Sequence, residues 1–143
     1  MQLIEDDRLF PVDSYGRGLA QELFASVRNL PILSPHGHTN PAWFAKDKPF
    51  DNPAALFVTA DHYVFRMLYS QGISLEDLGI SPLNGSKVEA NPREIWRQFA
   101  VNYHLFRGTP SRLWIDHSLQ EVFDVNQVLT AKTSDSIYDQ IAT

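Results

Sequence analysis

The stretch Asn91-Pro92-Arg93-Glu94-Ile95-Trp96-Arg97-Gln98-Phe99-Ala100-Val101-Asn102-Tyr103 decides what kind of fold this chain builds. Asn91 offers a side-chain oxygen to the free N–H groups that open a helix, and Pro92 comes next, at the place where an N–H would go unused. Ile95, Phe99, Tyr103 and Phe106 then recur at helical spacing until Gly108 stops them. The same junction, a capping side chain directly before proline, stands at Asn40-Pro41, Asn52-Pro53 and Thr109-Pro110. After Asn52, the apolar positions Leu56, Ala60, Tyr63, Val64, Met67 and Leu68 predict a helix over about 53–71, ending at Gly72. After Pro110, Ile115, Leu119, Val122 and Phe123 predict another.

Leu19, Leu23, Phe24 and Val27 mark an opening helix that ends near Asn29, Ser74-Leu75-Glu76-Asp77 a short capped turn, and Ser134 onward a last helix of about two turns. Ser81-Pro82-Leu83-Asn84-Gly85-Ser86 is a loop by composition. Only Leu30-Pro31-Ile32-Leu33-Ser34 reads as a strand. The expected fold is therefore mainly α with one or two short strands. Residues 1–35 would carry the opening helix and first strand, and residues 36–143 a histidine loop and a helical region. A strand without a partner leaves its backbone groups unsatisfied, which suggests a piece of something larger.

Composition narrows the function. The 143 residues carry 43% hydrophobic residues, no cysteine and a formal net charge of −5, with 12 Lys+Arg against 17 Asp+Glu. A chain of this size buries an ordinary core without staples. With no cysteine there is no disulfide, thiolate zinc site or cysteine nucleophile, so any metal is held by His and carboxylates. An acidic surface gives no footprint for nucleic acid or an anionic membrane. Acidic residues near the start, with no long apolar run after them, point to a cytoplasmic protein.

Two clusters can carry chemistry. In His36-Gly37-His38, residues two apart on an extended backbone project from one face, so both imidazoles can reach one ion, and zinc or a similar divalent metal suits neutral imidazole. In Asp61-His62-Tyr63-Val64-Phe65-Arg66, His62 and Arg66 share a helix face while Tyr63 overlaps the apolar stripe. The residues alone read Tyr63 as a core tyrosine beside a solvated His62 and Arg66, with an active-site reading open. His104 and His117 have no ligand-spaced companion and read as structural or surface residues, and Trp43, Trp96 and Trp114 as core or inter-helix packing.

Taken in order, the opening helix, His36-Gly37-His38, Asp61-His62-Tyr63 with Arg66, Gly72-Ile73, Pro110 with Trp114, Phe123-Asp124-Val125-Asn126 and Ser136-Ile137-Tyr138 resemble the uronate (glucuronate) isomerases of the amidohydrolase superfamily. The resemblance implies a distorted (β/α)8 barrel with a helical insertion after its first strand. A barrel needs about 250 residues, so this chain would hold only the beginning and would not catalyse alone. It implies aldose–ketose isomerisation of hexuronates, glucuronate to fructuronate and galacturonate to tagaturonate. By the same resemblance His36 and His38 are metal ligands, His62 and Tyr63 the active-site pair, and Arg66 a substrate-binding cation, with Tyr63 taking part in proton transfer between C2 and C1. Such chemistry requires a base and something to stabilise enediolate oxygens. The family's acidic residue two before the first motif histidine is here Ser34, and its later histidine is here Asp116. The competing readings are a metal-dependent hydrolase of the same superfamily, or a non-catalytic helical interaction module. A homo-oligomer stays open in every case.

Overall fold

The computed structural model describes residues 3–37 and 39–142. Its helices are α1 (Ser14–Val27), α2 (Pro41–Lys46), α3 (His62–Ser70), α4 (Pro92–Val101), α5 (Pro110–Glu121) and α6 (Ser134–Ile141), with a π-helical segment at Ala55–Thr59 and 3-10 turns at Glu76–Leu78 and Tyr103–Phe106. All four cap-before-proline junctions form. Asn40 Oδ1 accepts from the Ala42 N–H, Asn52 Oδ1 from Ala55, Asn91 Oδ1 from Arg93 and Thr109 Oγ1 from Arg112. Each satisfies an N–H left open by the helix start.

The chain divides into two compact units, Met1–Ile4 with Pro49–Thr143, and Glu5–Lys48. The larger unit holds the hydrophobic core. α4 is its axis, burying Ile95, Trp96, Phe99 and Ala100, and around it lie Val64 and Leu68 of α3, Ile115 and Leu119 of α5, and Ile137 and Tyr138 of α6. Tyr103 and Phe106 continue the α4 stripe from the 3-10 turn, because Asn102 ends the α-helix one turn earlier than the spacing predicts. Gly79 closes the Glu76–Leu78 turn at φ +74°, where an added Cβ would be strained and would lie 2.7 Å from Ile95 Cδ1, which would have to shift.

Polar contacts fix α6 on α4. Trp96 Nε1 donates to the Ser134 carbonyl at 2.9 Å inside the core. Outside it, Arg97 grips both carboxylate oxygens of Asp135 at 2.9 Å, and Arg93 reaches Asp139 and stacks 4.2 Å over the Tyr138 ring. The hydrogen bonds from Arg97 hold the Asp135 carboxyl below the usual carboxylate range. These groups are solvent-facing, so packing, not charge, supplies most of the cohesion.

In the smaller unit, Asp13 caps α1 through the Gly16 N–H, and Phe10 meets Phe24 edge to face at 5.9 Å. Neither α1 nor α2 buries a residue, and Leu23, Phe24, Val27, Leu30, Ile32 and Leu33 are exposed.

Three expectations are corrected. Among the described residues there is no strand, so the fold is helical, and the expected short strands opening a (β/α)8 barrel are not formed. Leu30–Ser34 finds no strand among the described residues to build a ladder with, and Pro31 and Pro35 each remove an N–H donor. The helix predicted over 53–71 is broken at Ala60-Asp61. The three tryptophans are not equivalent: Trp96 is fully buried, Trp43 and Trp114 are exposed.

One buried polar cluster escapes the sequence reading. Asp116 accepts from the Tyr103 hydroxyl at 2.8 Å and from Arg112 Nε at 2.6 Å, while the Arg112 guanidinium lies 4.1 Å over the Tyr103 ring. Burial, then the neighbouring Asp116 charge, pushes the Tyr103 hydroxyl far above its ordinary ionisation range. An unfolded tyrosine ionises near pH 10, so from about pH 10 upward the unfolded state binds fewer protons than the folded one. Stability then falls with pH, by up to ~1.4 kcal/mol per unit. Urea unfolding midpoints between about pH 8 and 11 should show this decline, and Tyr103→Phe should make it shallower by one proton's worth; an unchanged slope would refute the assignment.

Candidate functional site

The break before α3 builds the site. At Ala55–Thr59 the helix widens to a π turn, with Thr59 Oγ1 donating to the Ala54 carbonyl at 3.0 Å. Asp61 then leaves the helical region (φ −103°, ψ 107°) and restarts the helix as its N-cap, Oδ1 accepting from the Tyr63 N–H at 2.8 Å. His62 and Tyr63 are thus the first two residues of α3, and their rings stack with centroids 4.2 Å apart and 33° between planes. Val64 and Leu68 anchor the opposite face in the core.

Tyr63 is 60% exposed, which overturns the reading of it as a core tyrosine. At the start of a helix and open to solvent, it is accessible to a small molecule. Arg66 is also exposed, one turn along on the His62 side of α3. The structure therefore gathers His62, Tyr63 and Arg66 on one short helix.

His36 lies exposed in the irregular stretch after α1, in the smaller unit; His38, its expected partner, lies outside the described residues. Neutral imidazole on an open stretch suits a divalent transition metal. Among the described residues, no three His, Cys, Asp or Glu side chains are grouped to hold an ion. His104 and His117 are on the surface, His104 with Nδ1 3.2 Å from the Val101 carbonyl oxygen. No described helix is long and apolar enough to cross a membrane.

Sequence reasoning missed Asp61 as a cap and Asp116 as a buried bridge. Both signals were present: an Asp two before Tyr63 where an N-cap stands, and Arg112 and Asp116 four apart on one helix.

The glucuronate isomerase family model matches residues 10–143, and the chain belongs to that family. It is 53% identical over 141 residues to a uronate isomerase of Mesorhizobium japonicum and 55% identical over 140 residues to that of Rhizobium meliloti, covering 99% and 98% of this chain. It spans about 30% of the length of each of these curated relatives. The crystal structure of glucuronate isomerase from Caulobacter crescentus superposes with a TM-score of 0.90 at 47% identity, over 97% of this chain and 29% of that one.

Proposed function

We propose that this chain is the N-terminal portion of a uronate isomerase, which interconverts D-glucuronate and D-fructuronate, and D-galacturonate and D-tagaturonate, by moving a proton between C2 and C1. The observation that carries the reading is the stacked His62–Tyr63 pair at the start of α3, with Tyr63 exposed, in a chain more than 50% identical to uronate isomerases. In this reading the Tyr63 hydroxyl takes up or delivers the proton beside the substrate carbonyl. His62 orients the ring and holds a sugar hydroxyl, and Arg66 pairs with the hexuronate carboxylate.

His36 and His38 would hold a divalent metal, zinc by preference, as two of its ligands. Bound there, the metal would neutralise charge on sugar oxygens.

The test is a steady-state isomerase assay on glucuronate and galacturonate with a full-length enzyme carrying these 143 residues, alongside metal analysis. Interconversion with both sugars is expected; hydrolysis of another substrate without isomerisation would overturn the reading in favour of a superfamily hydrolase. Replacing His36 and His38 together by Ala should lower the bound metal per chain, and unchanged stoichiometry would remove them as ligands.

A further inference from the structure

Apolar spacing alone carries one helix from Pro53 through Gln71, yet the structure stops it and starts again one residue before His62. The restart rests on Asp61. Its Oδ1 takes the Tyr63 N–H at 2.8 Å, and its carbonyl takes the N–H groups of Val64 and Phe65 at 3.0 and 3.1 Å. Each residue removed from a helix rotates the remainder by about 100°, so the place of restart decides where His62 and Tyr63 point. Val64, the third residue of α3, and Leu68 pin its buried face, while the bonds to Asp61 fix the backbone at the end that carries His62 and Tyr63. The Tyr63 ring, 60% exposed, lies against His62, and its own backbone N–H is held by the cap. The π segment just upstream is a further local departure of the kind that gathers at functional sites.

We propose that Asp61 is a positioning residue for the isomerase reaction, holding the first turn of α3 so that the Tyr63 hydroxyl and the His62 ring meet the substrate in fixed register. The inference rests on the isomerase reading above. Asp61 acts through its capping oxygen and not through its charge. Asn and Ser cap a helix about as well as Asp, whereas Ala cannot cap and favours the helical conformation that would fuse α3 with the segment before it.

The experiment compares Asp61→Ala, Asp61→Asn and Asp61→Ser in the full-length enzyme, each also in a Tyr63→Phe background. Asp61→Ala should lower kcat by roughly 10- to 100-fold with a smaller change in KM, since a misplaced reacting group costs rate more than affinity. Asn and Ser should stay within about threefold of wild type. In the Tyr63→Phe background Asp61→Ala should add little, because both act through one group. Amide hydrogen exchange at Tyr63 should rise in the Ala variant and stay near wild type in the Asn variant, which tests the cap independently of turnover. Wild-type kcat in Asp61→Ala, beside an impaired Tyr63→Phe, would overturn the role of Asp61 alone. Loss of activity in Asp61→Asn would overturn it in favour of a charge role. An unimpaired Tyr63→Phe would overturn the isomerase role of Tyr63, and the proposal with it.

Discussion

Replacing Tyr63 by Phe is expected to lower isomerase turnover of a full-length enzyme carrying these residues by about 10² to 10⁴, while leaving the melting temperature of the 143-residue chain almost unchanged. The two halves of that expectation come from different observations. The loss of turnover reflects the proposed role of the hydroxyl in moving a proton between C2 and C1, the usual worth of a positioned acid or base. The unchanged stability reflects exposure: Tyr63 is 60% exposed, so removing its hydroxyl leaves no buried group unsatisfied. A core tyrosine would give the opposite pattern, with stability lost and turnover kept. His62→Asn should separate from Tyr63→Phe by raising KM more than it lowers kcat, since a group that holds the sugar acts in the ground state as well as the transition state. Steady-state kinetics with melting curves for each variant decide the matter, and wild-type turnover in Tyr63→Phe would end the catalytic reading of this residue.

The features legible in the sequence were those that local chemistry controls. Asn40, Asn52, Asn91 and Thr109 each cap where expected, because capping needs only a side-chain oxygen and the next few N–H groups. The apolar stripe of α4 was legible for the same reason, since one face of a helix repeats with the helix's own period. The failures share a different cause. Leu30–Ser34 has strand-like residues, but a strand exists only through bonds to another one, and no described residue offers a ladder. The stripe from Leu56 to Leu68 has unbroken helical spacing, and spacing cannot see that a π turn at Ala55–Thr59 and a cap at Asp61 reset the helix between them. The candidate site shows the same division. Spacing placed His62 and Arg66 on one helix face and the family resemblance added Tyr63 to them, whereas the exposure of Tyr63 depends on which face Val64 and Leu68 bury, a matter of tertiary packing.

Trp96→Ala should destabilise the 143-residue chain by about 3–5 kcal/mol, the largest stability effect expected of any tryptophan substitution here. No local pattern ranks Trp43, Trp96 and Trp114, but their surroundings do. Trp96 is fully buried at the meeting of α4 and α6. Its ring lies 5.5 Å from Phe99, 6.2 Å from Phe57 and 6.4 Å from Tyr138, and Nε1 supplies the buried hydrogen bond to the Ser134 carbonyl. Truncation removes the transfer energy of an indole, opens a cavity that its aromatic neighbours cannot fully close, and loses the buried hydrogen bond from the indole to the Ser134 carbonyl. The exposed ion pairs of Arg93 and Arg97 with Asp135 and Asp139 are too weakly held to compensate, so α6 should loosen first. Trp114, 64% exposed, has no such surroundings, and Trp114→Ala should cost within about 1 kcal/mol. Thermal and denaturant unfolding of the single variants provide the comparison, with a fall in Tm on the order of 10–20 °C for Trp96→Ala and a few degrees at most for Trp114→Ala. Equal losses at both positions would mean that α4 and α6 are not held together through Trp96, and that the core has been placed around the wrong tryptophan.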